Sequence, residues 1–213
     1  MSQVAKARKF FRFASGQTHL LLCLAKTLHS RLYVENCYVH AHAVVEGYRN
    51  IAVAGELRVG IRAPGFMFGT EKTLLRVSGR LIVEGSVSIG RGCRFEVGEG
   101  AVCVLTDCNL NGASIVEVRH GLTIGAGSTV SWGCQFLDDD WHTLEYAGRR
   151  MRDPKIVIGK HVWIGSHVLI HKGVQIGDGS VVAAGSVVSG SFPPGVLIGG
   201  NPARVIREGV TWN

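Results

Sequence analysis

The residues of this chain best suited to chemistry fall in one polar stretch, Leu137 to Lys155, which reads LDDDWHTLEYAGRRMRDPK. Three carboxylates, Asp138, Asp139 and Asp140, stand directly before Trp141 and His142, and Arg149, Arg150 and Arg152 follow. Histidine titrates near neutral pH, so a neutral imidazole can take a proton from an alcohol. A carboxylate beside it can fix the ring tautomer and support the imidazolium that forms. His142 is therefore the candidate general base. Asp140 is the first candidate for the supporting carboxylate, with Asp138 and Asp139 left open. A D-x-H triplet alone has little specificity, because solvated acidic loops often contain one. Its flanks give it weight.

Downstream, Ile158 to Pro193 divides into sixes: IGKHVW, IGSHVL, IHKGVQ, IGDGSV, VAAGSV, VSGSFP. An aliphatic residue opens each block: Ile158, Ile164, Ile170, Ile176, Val182, Val188. In a helix, six steps of about 100° would set successive aliphatics about 240° apart, so no face stays apolar. In a strand, an even repeat returns every one to the same face. Gly173, Gly179 and Gly185 then fall at corners, where a positive φ is cheap only for glycine. Short strands joined by regular corners describe an all-β solenoid of parallel strands. The beat is also present upstream, at Val39, Val45, Ile51 and Leu57, at Val77, Val83, Ile89 and Phe95, and at Val118, Ile124, Val130 and Phe136. It lapses over Gly60–Leu75, blurs around Cys103 and Cys108, and breaks over 137–155. A long insertion in a repeat array is where such proteins carry binding sites. Past the blocks, Pro193-Pro194 is expected to halt the coil, with GGNPARVIR making one more strand after a tight turn.

The remainder bounds the protein's class. Its 213 residues suffice for one solenoid domain, and 29 glycines suit a fold with many corners. A net charge of +7 favours anionic partners, but the basic residues are scattered and no nucleic-acid-binding motif is present, so no nucleic-acid partner is expected. Six dispersed cysteines without CxxC pairs read as buried free thiols in a reducing compartment. Neither a signal peptide nor a spanning segment is evident, which implies a cytoplasmic protein. Residues 1–33 lack the solenoid pattern and mix Lys6, Arg8, Lys9 and Arg12 with Phe10, Phe11, Phe13 and a leucine cluster. They read as a helical segment, broken near Ser15-Gly16. It either caps the open end of the coil or rests on an anionic membrane at its inner face. Residues 34–213 form the solenoid domain, with the loop 137–155 inserted.

The ordered set IGKHVWIGS (158–166), AAGSVVSG (183–190), Pro193-Pro194 and GNPARVI (200–206) resembles the hexapeptide-repeat acyltransferases. With DDDWHTL and the ending GVTWN, it is most similar to the capsule and lipopolysaccharide O-acetyltransferases, beside the maltose and galactoside enzymes. The resemblance covers roughly the last 95 residues. It implies a left-handed parallel β-helix of triangular section with three blocks per turn, against the usual right-handed crossover rule. It also implies a homotrimer with sites shared between chains, and acetyl-CoA as co-substrate without a metal. The acceptor would be a hydroxyl of a sugar or polysaccharide, deprotonated by His142 with no acyl-enzyme. By the same resemblance Trp163 borders the active site, Ser166, Ala184 and Ser189 contact the pantetheine arm, and Arg204 and Arg207 lie near the nucleotide phosphates. One departure is Gly190, where the family has a lysine; Lys172 or Lys160 are candidate substitutes. The alternatives are an amino-group acceptor, a zinc enzyme of the γ-carbonic anhydrase type, and a non-catalytic scaffold.

Overall fold

The structure, a computed structural model, describes residues 20–61, 70–143, 145, 147 and 153–213. It is the expected left-handed parallel β-helix. The register shows directly how the six-residue blocks stack. Ile158 pairs with Ile176, Ile164 with Val182 and Ile170 with Val188, so each block lies under the one three blocks later. The six opening aliphatics are at most 2% exposed. The fifth places, Val162, Val168, Val174, Ser180 and Ser186, are buried with them. Two inward rungs per block fill the interior, and each fully buried Val or Ile contributes about 1.5–3 kcal/mol.

Three faces result. The first includes Gly121–Ile124, Ile156–Ile158 and Gln175–Ile176; the second includes Thr129–Val130, Trp163–Ile164 and Val181–Val182; the third includes Ile115–Val118, Gln135–Leu137 and Leu169–His171. Nearer the N-terminus the strands Ile51–Val59 and Arg80–Ile89 run from the first face into the second without a break. The first corner stacks Asp107, Gly127, His161 and Gly179, all at positive φ. The second stacks Gly92, Ala113, Gly133, His167 and Gly185 in the same conformation. At most levels the amide of that residue bonds a carbonyl of the turn before, as from Gly179 to Lys160 at 2.9 Å and from Gly185 to Ser166 at 2.9 Å, while the Gly92 amide bonds the Thr73 hydroxyl at 3.0 Å.

The blurred cysteine stretch is part of the coil. Leu105 pairs with Ile124 and Leu110 with Val130, so its first corner is one residue shorter than the corner above it. Asp107 makes that tight corner, at φ 38°, and its carboxylate accepts the Ser86 amide at 2.7 Å. All six cysteines are buried and free. Burial pushes Cys37 and Cys108 up to about 12, and Cys93 and Cys134 to about 11.

The ends differ in part from expectation. The Gly60–Leu75 lapse is shorter than the pattern suggests, because Thr73–Val77 is a coil strand; 62–69 lie outside the described residues. The prolines do not halt the coil. Val196–Gly200 continues it beside Val181–Val182, and only Ala203–Glu208 turns back antiparallel. At the other end the helix Leu20–Ser30 lies on the free edge of Cys37–Val39. Cys23, Thr27 and Ser30 form its buried stripe. The Thr27 hydroxyl accepts the Val39 amide at 3.1 Å, and Ser30 donates to the Cys37 carbonyl at 2.9 Å, so side chains satisfy an edge that would otherwise stand open. Residues 1–19, including the Ser15-Gly16 position, lie outside the described residues.

Candidate active site

The third corner, between the third and first faces, carries the polar loop. The strand Gln135–Leu137 ends there and the coil resumes at Ile156. Leu137 pairs with Glu117, which sets the root of the loop against the turn Arg119–Gly121 of the level before.

Four consecutive residues are each anchored. Asp138 is 1% exposed, and its carboxylate accepts the amides of Arg119 (2.6 Å), His120 (2.8 Å) and Gly121 (2.7 Å). Leaving the buried Gly121 donor unpaired would alone cost about 1–3 kcal/mol. Asp139 binds Nε2 of His120 at 2.7 Å and accepts the Trp141 amide. Those two bonds, the Trp141 amide first, hold its carboxyl below the ordinary carboxylate value. Asp140 pairs with Nζ of Lys172 at 2.6 Å, one level up. Trp141 sits at φ 61°, and the guanidinium of Arg119 stacks on its ring at 4.3 Å. Arg119 is itself held by Glu117 (2.8 Å) and Glu96 (3.3 Å). A left-handed conformation costs a bulky residue about 1–2 kcal/mol, and a cation–π contact returns about 0.5–2, so the two nearly balance.

His142 follows, exposed, and makes no hydrogen bond or ion pair among the described residues. The expected Asp140–His142 contact is therefore not present, because Lys172 has taken that carboxylate. The carboxylate–imidazole pair that does form joins Asp139 to His120, a histidine not singled out in the sequence. Arg149, Arg150 and Arg152 lie outside the described residues.

The second face carries most of the other candidates. Outward from Ile164, the Trp163 side chain is 42% exposed and donates Nε1–H to Ser131 at 3.2 Å. Register continues its column through Val181 and Leu197 to Arg207. Arg204 lies opposite Gly199 in the terminal hairpin. Ser166 and Ala184 occupy successive levels of the second corner, and the exposed Trp132 stands at the level before them. Ser189 stands apart. It follows Val188, the partner of Ile170 on the third face, and so emerges toward the third corner. Gly190 beside it has open space where a side chain would begin. Of the proposed lysine substitutes, Lys172 is engaged by Asp140.

One contact on this face had no sequence signal. Trp212 stacks on His161 at 4.1 Å with rings 5° from parallel, donates Nε1–H to the His161 carbonyl (2.8 Å), and meets that ring nitrogen through its own carbonyl (3.0 Å). It thus lies 6.1 Å from the Trp163 ring. The candidate base and the candidate co-substrate residues around Trp163 therefore lie on different parts of the triangle. The second face lies across the triangle from the third corner.

Residues 155–190 match the model of a family described as bacterial transferase hexapeptide (six repeats). An uncharacterised 24.8 kDa protein in the cps region of Klebsiella pneumoniae is 35% identical over 205 residues, covering 94% of this chain and 92% of that protein. Among solved structures, the polySia-specific acetyltransferase NeuO is similar at 21% identity and a TM-score of 0.61, over 84% of this chain and 89% of that one. A point mutant of AntD, an N-acyltransferase from Bacillus cereus in complex with dTDP-4-amino-4,6-dideoxyglucose and coenzyme A, is similar at 16% and 0.51, over 88% and 90%. At these identities the structural likeness is one of fold.

Proposed function

This chain belongs to the bacterial hexapeptide transferases, and we propose that it is an acetyl-CoA-dependent O-acetyltransferase acting on a hydroxyl of a sugar or polysaccharide. The observation that carries the reading is an exposed histidine on a loop whose four preceding residues are each tied to the coil. His142 takes the proton of the acceptor hydroxyl. The oxygen attacks the thioester carbonyl, and backbone N–H groups stabilise the tetrahedral oxyanion. Its collapse expels the coenzyme A thiolate, which receives the proton back from His142. No bond to the protein forms at any stage. The thioester arm would lie along the second face and its corner, past Trp163, Ser166 and Ala184, with Arg204 and Arg207 suited to phosphate oxygens.

The fold shared with NeuO and with AntD, one an acetyltransferase and the other an N-acyltransferase, supports acyl transfer, and the polySia specificity of NeuO favours a polysaccharide. The net charge of +7 suits an acidic acceptor and a phosphorylated co-substrate alike. A panel of acidic and neutral polysaccharides, nucleotide sugars and amino sugars, each with acetyl-CoA, tests the reading through thiol release. A polysaccharide that drives release supports it. Release with amino sugars alone moves the assignment to N-acetyl transfer, and release with none overturns it.

We also propose a homotrimer, which the same geometry supports. The third corner of one chain and the second face of another can meet where one chain cannot bring its own together. Mixed oligomers of His142→Ala and Trp163→Ala chains should then recover activity that neither variant has alone; no recovery would argue for a site within one chain. We further propose that the segment 1–33, whose helix Leu20–Ser30 caps the coil, also makes a peripheral contact with an anionic membrane at its cytoplasmic face. Leu21, Leu28, Leu32 and Tyr33 point outward from the capping helix and the turn after it, at 81%, 52%, 75% and 48% exposure. No helix among the described residues is long and apolar enough to cross a membrane. Co-sedimentation with anionic but not neutral vesicles is the expected result, and equal binding to both would remove the electrostatic part of the argument.

A further inference from the structure

We propose that Arg119 is a positioning residue for His142, acting through the ring of Trp141. The claim rests on the reading of His142 as the base. Trp141 is the residue directly before His142, and its φ of 61° is a conformation that a large side chain leaves when nothing holds it. The backbone at Trp141 sets the direction in which His142 leaves the loop. Trp141 is 57% exposed, so burial does not hold it. Its ring contact is the guanidinium of Arg119, 4.3 Å from the centroid.

Arg119 is a firm support because it is fixed from three directions. Glu117 and Glu96 hold its side chain at 2.8 and 3.3 Å, and its amide donates to Asp138 at 2.6 Å. Glu96 is also 3.5 Å from Arg76, which pairs with Glu46 at 2.6 Å. The column Glu46, Arg76, Glu96, Glu117 follows the strand register of the third face, and Arg119 bridges its last two carboxylates, so the guanidinium under Trp141 ends a charged ladder that begins several levels lower. The planar group matters as well as the charge. A flat guanidinium can stack on an indole and keep its edge for carboxylates, which an ammonium cannot do.

Two measurements test the proposal. Hydrogen exchange of the segment 138–143 should speed up in Arg119→Ala and Trp141→Leu, while the inward strands exchange as in the parent protein. Unchanged exchange at 138–143 overturns the contact. Steady-state kinetics, with acetyl-CoA and whichever polysaccharide drives thiol release, should show kcat reduced about tenfold or more in both variants. KM for acetyl-CoA should stay within about twofold. Arg119→Lys should fall between the parent protein and Arg119→Ala, and Trp141→Tyr should recover most of the rate lost in Trp141→Leu. The double variant should be no slower than the worse single one, because both changes remove the same contact. A rise in KM alone, or losses that multiply in the double variant, would overturn a positioning role. If His142→Ala keeps full activity, the base assignment fails, and the exchange result still decides whether Arg119 orders the loop.

Discussion

Trp163 and His142 reach their places by opposite means. Trp163 is set by backbone pairing. Its strand is fixed by Thr129 below and Val181 above, and Ile164 behind it is fully buried. Moving Trp163 would mean shifting the register of the stack, which would turn every inward rung outward. His142 is set by side chains: the carboxylates of Asp138, Asp139 and Asp140, and the ring of Trp141 on Arg119. The outer contacts, those of Asp139, Asp140 and Trp141, lie near the surface and touch none of the inward rungs. A face that presents a co-substrate can be rigid, whereas a base that must meet a variable acceptor sits better on an element tuned by individual contacts.

The largest effect that would sharpen this contrast is at the base. His142→Ala should lower kcat by about 10²–10⁴-fold with the melting temperature unchanged, since the ring supports nothing else among the described residues. Thiol release near the parent rate would break the assignment. The second effect inverts the first. Ile164→Ala, directly behind the Trp163 face, should cost about 2–5 kcal/mol of stability by opening a cavity in a packed interior. Thermal melting reads it, and a loss of activity without a loss of stability would contradict a face held by its core.

The same contrast explains what could be read from the sequence. The repeat is legible because corner, strand and inward rung each impose a residue type at a fixed spacing. Where a corner loses one residue, at Asp107, the beat blurs although the coil continues. The loop's position is legible as an interruption of that beat. Its wiring is not, since nothing in the string DDDWH says which aspartate meets which partner. That depends on Arg119, His120 and Lys172, which belong to other levels of the stack. The stack of Trp212 on His161 likewise joins residues that no local pattern connects.

A third prediction concerns acid. The Trp141 amide and His120 hold the Asp139 carboxyl below its ordinary value, so its contribution to the folded loop is complete above the usual carboxylate range. That contribution is lost as pH falls below this range and through the depressed value. Loop exchange at 138–143 should therefore be flat with pH near neutrality and rise only in strong acid. Asp139→Asn should remove the part of the acid rise that this carboxyl causes, since an amide does not titrate. The effect is modest because the pair lies near the surface, at 41% and 31% side-chain exposure. A rise already present between about pH 5 and 7 would mean that a group other than Asp139 controls the loop.

The smallest expected effect is the most discriminating. If Asp140 oriented the imidazole of His142, Asp140→Asn would impair tautomer control and cost orders of magnitude in kcat. In the structure its carboxylate instead meets Lys172 in a pair whose side chains are 47% and 43% exposed. Such a pair contributes about 0–1 kcal/mol. Asp140→Asn should thus slow turnover by less than about fivefold, and Lys172→Met should do the same, with the double variant no worse than either. A large loss in Asp140→Asn with none in Lys172→Met would mean that the carboxylate leaves Lys172 for His142 when the acceptor binds, and the loop would then be a moving part.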